Sequence, residues 1–314
     1  MPKRPTEIVL TASVARQYYV EDRSKSEIAD DLGISRFRVA RLLDVARRTG
    51  MVEIRIHSPD TIDTELSERL QRAYGLAHAV VLDVPDDDVQ SLRRYLGETA
   101  IEVLKDLVTA DDVLGIAWAR SLVGVTHGIT KFAAAPIVQL TGALTSPDGS
   151  DVLEAVRAFA RAGGGTPYVF YAPFIASDAT TARTLSRQSD VARAMALIPT
   201  VTVAAVGIGA WRPGLSSIYD NLEDVARDKA TRAGVKAEVS GVFVDAAGHA
   251  VSTPLAKRII GPSSEQLAAI KSVVAVAYGD EKAQAIRSVM LGGWITGLVT
   301  HTSLARTLLA DSAR

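Results

Sequence analysis

The sequence predicts an α/β protein in two parts: a small helical unit over residues 1–57 and a larger α/β domain over residues 58–314. Three features of the 314-residue chain predict it. Residues 25–43, KSEIADDLGISRFRVARLL, carry two helical apolar periods broken at Gly33. From about Pro59 the texture changes to short aliphatic segments alternating with amphipathic ones. Those aliphatic segments are continuously apolar, as strands of a parallel sheet covered on both faces must be.

In the first unit, Ile28, Ala29, Leu32, Ile34, Val39, Leu42 and Leu43 set the two periods. The first helix runs from about Lys25 to Leu32, and Gly33 supplies the left-handed turn after it. Ser35 is placed as N-cap of the second helix. Small Ala29 lets the two helices cross closely, and Val39 and Leu42 pack back on the first. This is the internal spacing of a helix-turn-helix. Val39, Leu42, Leu43 and Ala46 share one face of the second helix, while Phe37, Arg41, Asp44 and Arg48 face away, flanked by Arg36 and Arg38. Between Ser35 and Arg55 there are six arginines and two acids. That local excess suits phosphate contact and base-edge readout in a major groove. The expected DNA-contacting set is Lys25, Ser35, Arg36, Phe37, Arg38 and Arg41. Val52, Ile54 and Ile56 alternate with Glu53, Arg55 and His57, which predicts a short half-exposed strand, a wing beside the recognition helix.

A net charge of −1 and a pI near 6.5 exclude a protein that coats nucleic acid generally; the positive charge is local. No uninterrupted apolar run reaches the roughly 18–20 residues of a membrane span, and MPKRPTEIVL lacks the apolar core of a signal peptide. The absence of cysteine removes disulfides and thiolate chemistry and fits a reducing cytoplasm. The five histidines show no metal-ligand spacing, so neither a metal nor another cofactor is expected.

In the larger part, TIDTELSERLQRAYGL reads as a helical linker. Strands are expected at AVVLD (79–83), DVLGIA (112–117), PIVQL (136–140), YVFYAPF, VTVAAVGIG, VVAVAYG and ITGLVTH, each followed by a helix. In such sheets ligands bind beyond the carboxyl ends of the strands, where helix N-termini offer free N–H groups. Four strand ends carry ligand-compatible loops: GIAWARSL, QLTGALTS, GIGAW and AYGDEKAQAI. Together they point to a small, anionic ligand. None is a GxGxxG or a P-loop, which argues against a dinucleotide or nucleoside triphosphate.

The stretches EIADDLGISRFRVARLL, GIAWARSL, IVQLTG, VGIG, GVFVDAAG, RIIG, VAVAYGDEKAQAI and LVTHTSLARTLL together resemble SorC/DeoR-type sugar-binding transcriptional regulators. The resemblance covers nearly the whole chain. It implies a winged helix-turn-helix followed by a Rossmann-like effector-binding domain of the glucosamine-6-phosphate deaminase and ribose-5-phosphate isomerase type. It implies, too, a sugar, sugar alcohol or sugar phosphate as effector. On matching positions it puts Ala119, Arg120 and Ser121 at polar or phosphate groups, and Thr141 and Gly142 in a second contact loop. Gly209 would line the pocket, Glu238 and Asp245 would accept sugar hydroxyls, and Lys282 would be a basic pocket residue. The function so implied is a repressor of a carbohydrate catabolic operon, partnered by operator DNA, its effector and further copies of itself as a dimer or tetramer. The competing reading is a sugar-phosphate isomerase or deaminase. It needs an acid and a base poised on an aldose, and no spacing pairs Glu238, Asp245 or His301. A shared fold does not carry the chemistry.

Overall fold

Ser24 and Glu27 cap each other at the start of the helix-turn-helix: Ser24 Oγ accepts the Glu27 N–H at 3.3 Å, and Glu27 Oε2 accepts the Ser24 N–H at 2.8 Å. The computed structural model describes residues 5–52, 61–123, 129–144 and 151–312, and the chain divides into two compact units, Met1–His57 and Ser58–Arg314. In the first unit α1 (Pro5–Tyr19) precedes α2 (Lys25–Leu32) and α3 (Arg36–Arg48). Gly33 ends α2 at φ 63°, and Ser35 caps α3 by accepting the Arg38 N–H at 3.2 Å. Val14, Ala15, Ile28, Ala29, Val39, Leu42, Leu43 and Ala46 form the unit's core. The sequence reading did not anticipate α1. Its buried face includes Thr11 and Gln17, and Ile8 and Val9 stand exposed, so no clean apolar stripe marks it. The expected wing falls on residues 53–57, which lie outside the described residues, as do Thr145 and Ser146 and the side chain of Ser121.

The second unit is built on β1 (His78–Leu82), β2 (Leu114–Ile116), β3 (Ile137–Gln139), β4 (Pro167–Tyr168), β5 (Val203–Ala210), β6 (Ala237–Val239), β7 (Val242–Val244), β8 (Ser272–Val276) and β9 (Gly297–His301). Helices α4 (Thr64–Tyr74), α5 (Val89–Leu107), α6 (Arg120–Val123), α7 (Val152–Gly163), α8 (Ala179–Leu185), α9 (Ser189–Leu197), α10 (Ser217–Asp220), α11 (Asp224–Arg232), α12 (Ser264–Ala268), α13 (Ala283–Leu291) and α14 (Thr302–Ser312) connect or follow them. The parallel order is β1-β9-β8-β5-β2-β3-β4.

Successive strand residues enter two different cores. Ala204, Val206 and Ile208 of β5 belong to one and Val203 and Ala205 to the other; Leu298 and Val299 of β9 divide the same way. A strand that must satisfy both faces reads as an unbroken aliphatic run, which is why these segments were legible.

Three elements differ from the sequence reading. The helical linker is α4, whose Leu66 and Leu70 are buried, whose Ser67 Oγ accepts the β1 Val81 N–H at 2.9 Å, and whose Tyr74 donates to Leu308 O at 2.6 Å. It is part of the domain. The expected strand YVFYAPF is interrupted: it pairs with β3 at its start, in β4, and again where Pro173 bridges Ala143, the Ala143 N–H donating to Ala172 O at 3.0 Å and the Phe174 N–H to Ala143 O at 2.8 Å. Between the two, the Phe170 N–H donates to the Gln139 side chain at 3.1 Å. Finally, β6 and β7 form an antiparallel hairpin on the end of β5, turned by Ser240 (φ 52°) and Gly241 (φ 85°). Two residues at positive φ give the turn whose twist suits a hairpin.

From β2 the chain moves outward to β3 and β4; from β5 it moves the other way, to β8 and β9. Because β2 and β5 are neighbours, their carboxyl ends flank the crevice of a topological switch point.

Candidate functional site: a two-chambered cleft and an arginine-rich helix

Gly207 and Gly209, at the carboxyl end of β5, make the crevice passable. A Cβ on Gly207 would stand 3.1 Å from Ala119 Cβ, and one on Gly209 would stand 2.1 Å from Glu238 Oε1. Register pairs Gly209 with Glu238. The glutamate thus lies across β5 only because residue 209 has no side chain.

Glu238 is 8% exposed and accepts a hydrogen bond from Ser216 Oγ at 3.1 Å. Burial raises its pKa above the usual carboxylate range; the Ser216 and Gly241 hydrogen bonds and the charges of Lys282 and Arg120 act the other way. Lys282, just ahead of α13, is 9% exposed. Its Nζ donates to Ile208 O at 3.4 Å and lies 5.0 Å from the Tyr278 ring centroid. Burial, reinforced by the Arg120 charge, pushes its pKa down to about 8. Arg120, at the start of α6, donates from Nε to Ser217 Oγ at 3.1 Å, with Asp220 3.6 Å away.

These groups line a narrow cavity of about 40 Å³ together with Trp118, Ala119, Phe174, Ser217, Ser240 and Tyr278. A roomier cavity of about 420 Å³ adjoins it, and Arg120, Leu215, Tyr278 and Lys282 line both. The second is of a size that suits a small metabolite, and the mix of hydroxyls, one buried carboxyl and cations suits a ligand that is hydroxylated and anionic.

Of the residues expected at the site, Ala119, Arg120, Gly209, Glu238 and Lys282 meet there. Thr141 and Gly142 stand behind the wall: buried Thr141 Oγ1 accepts the Trp118 N–H at 3.0 Å, and a Cβ on Gly142 would meet Pro173 O at 2.4 Å. Asp245 lines neither cavity. Its Oδ1 accepts the Ala247 and His249 N–H groups, both at 2.9 Å, which holds its pKa low and closes the VDAAG turn. The sequence reading passed over Ser216, Ser217, Ser240, Tyr278 and Arg93. The SS pair after GIGAW was a visible signal; Arg93, inside a long helix, carried none.

In the first unit Arg36, Phe37, Arg38 and Arg41 are exposed on α3, Phe37 to 89%. Among the described residues none of these arginines has a carboxylate partner, whereas Arg48 pairs with Asp44. Ser35 serves as the cap, and Lys25 Nζ sits 5.6 Å from the Tyr18 ring centroid. The arrangement offers an unneutralised basic helix face with one aromatic. Among the described residues no helix is long and apolar enough to cross a membrane.

Comparison with known proteins agrees with this layout. The family model described as "Putative sugar-binding domain" matches residues 59–310. The Deoxyribonucleoside regulator of Bacillus subtilis is 26% identical over 308 residues, covering 96% of this chain and 97% of that protein. The transcriptional regulator LsrR of Klebsiella pneumoniae is 28% identical over 315 residues, covering 96% and 93%. The full-length sorbitol operon regulator SorC of Klebsiella pneumoniae superposes with a TM-score of 0.71 at 21% identity, covering 97% of this chain and 99% of that one. The chain belongs to this sugar-binding family and is a SorC/DeoR-type sugar-binding transcriptional regulator.

Proposed function

We propose that residues 1–57 bind operator DNA through α3, and that residues 58–314 bind a sugar, sugar alcohol or sugar phosphate in the cleft at the β2–β5 switch point. Effector binding controls operator binding, and the chain acts as a cytoplasmic repressor of a carbohydrate catabolic operon. The observation that carries the effector reading is Glu238: a buried carboxyl laid over Gly209, in one cavity with Lys282 and Arg120. A carboxyl so placed accepts ligand hydroxyls, and the cations balance an anionic end. The relatives are named as regulators of sorbitol and deoxyribonucleoside systems, which supports the ligand class. An isomerase would need an acid–base pair on one substrate, and Asp245 lies away from Glu238 in a surface turn.

One helix-turn-helix reads half a site, so the working species is a dimer or tetramer on two half-sites. The experiment is a thermal-shift screen of sugars, sugar alcohols and their phosphates, followed by gel shifts with and without the best binder. Lys282→Ala and Glu238→Ala should keep operator binding and lose the response. Survival of the response in both variants places the effector elsewhere.

A further inference from the structure

Phe37 is the most exposed large apolar side chain among the described residues, at 89%. It is the second residue of α3, whose first turn is fixed by the Ser35 cap on the Arg38 N–H. At 100° per residue, Phe37 and Arg41 stand one turn apart on the face opposite the buried stripe of Val39, Leu42, Leu43 and Ala46. Neither the unit's core nor the side chains packed against it include Phe37. The ring does nothing for the fold of this unit, and its apolar surface is open to a partner.

The surroundings of the ring say what that partner is. Arg36, Arg38 and Arg41 flank it, all exposed and without a carboxylate among the described residues, while Asp44, the only acid in α3, is taken by Arg48. A second copy meeting this face would set three guanidinium groups against three. The partner is therefore polyanionic and presents an apolar group among its polar ones. In a helix-turn-helix complex the N-terminal residues of the second helix reach base edges in the major groove. The one apolar group displayed there is the C5-methyl of thymine. The edges of guanine, adenine and cytosine are donors and acceptors, which a phenyl ring would leave unpaired. Wedging between base steps is a minor-groove device, and a groove about 6 Å wide does not admit a helix about 10 Å across.

We infer that Phe37 selects a thymine in each operator half-site by packing on its C5-methyl group, while Arg36, Arg38 and Arg41 hold the neighbouring guanine edges and phosphates. This rests on the reading of α3 as the DNA-contacting helix and adds to it the base that the helix selects. Burying one methyl against the ring is worth about fourfold in affinity.

The probe is a duplex that the full-length protein itself selects from a random pool, in which deoxyuridine then replaces thymine one position at a time. That exchange removes the methyl and keeps every hydrogen-bonding edge. At fixed salt, one position in each half-site should lose about fourfold in affinity for the wild-type protein. Phe37→Ala should bind the thymine duplex about fourfold or more weakly and show no further loss on deoxyuridine exchange at that position. It should melt as the wild type does, because the ring is exposed, and keep the wild-type salt slope, because the ring meets no phosphate. Phe37→Leu, still apolar, should keep part of the preference for thymine. The inference is overturned if no deoxyuridine position matters to the wild-type protein, if the loss persists in Phe37→Ala, or if Phe37→Ala weakens selected and random duplexes alike. A smaller oligomer for Phe37→Ala in light scattering overturns it too, and assigns the ring to a contact between copies. If binding survives Phe37→Ala intact but fails in the Arg36/Arg38/Arg41 triple alanine variant, thymine selection falls and α3 remains the DNA-contacting helix. A protein that selects no duplex from the pool removes both.

Discussion

Gly209 and Glu238 face each other across the antiparallel β5–β6 pair, and the glutamate's Oε1 lies 2.1 Å from where a Cβ on residue 209 would stand. The missing side chain and the buried carboxyl are one feature. Gly209→Ala should therefore displace Glu238, lower stability by about 1–3 kcal/mol and abolish the effector response while operator binding persists. Adding Glu238→Ala should recover part of the lost stability, because the closest clash is gone while Ser216 Cβ, 2.8 Å from the new Cβ, still crowds it. A double-mutant cycle in denaturant melts measures the coupling, and additive effects would show that the two do not compete for space.

The buried ammonium of Lys282 makes stability depend on pH. Its pKa of about 8 lies below the ordinary 10.5, so between those values the unfolded chain binds more protons than the folded one. Stability should rise with pH across that window, and below about pH 8 the cost of the buried charge is fully present. Lys282→Met should therefore stabilise the free protein at pH 7, by a gain of the order of 1–3 kcal/mol that shrinks toward pH 10.5. An anionic ligand reverses the sign locally: it raises the Lys282 pKa and draws in a proton. Calorimetry near pH 8.5 in buffers of different ionisation enthalpy should show that uptake.

On DNA, the arginines of α3 have different tasks from its cap. Arg38→Ala or Arg41→Ala should cost roughly 1–3 kcal/mol of specific affinity where the side chain reads a base. Ser35→Ala should act through helix stability instead, at about 1 kcal/mol. Gel shifts on specific and random duplexes, alongside thermal melts, separate the two. Unchanged affinity in the Arg36/Arg38/Arg41 triple alanine variant would remove α3 from the interface.

Thr141 makes its contribution from behind the cavity wall. Its hydroxyl holds the Trp118 N–H at the turn out of β2. Thr141→Val keeps the volume and leaves that N–H unpaired, so stability should fall by about 1–3 kcal/mol. Effector affinity should fall as well, because Trp118 and Ala119 lose their anchor. A variant with wild-type melting and affinity would contradict this.

The sequence by itself determined the helix-turn-helix and the parallel sheet. Local rules suffice for both: Gly33 and Ser35 mark the turn by their own backbone and hydrogen-bonding preferences, and strands buried on two faces must be aliphatic throughout. It also located the strand ends at which Arg120, Gly209 and Lys282 meet. Where a residue's role depends on partners far along the chain, only the tertiary structure decided it. Glu238 reaches the cleft because β6 folds back along β5 at Gly209, whereas Asp245, in the same motif, is captured by its own turn. Thr141 looked like a ligand contact and instead caps a backbone N–H twenty-three residues away. Arg93 had no local mark at all. Its position beside Lys282 and His301 exists only once α5, β8 and β9 are packed together, since side chains that converge on one cavity from separate strands leave no periodicity in the chain.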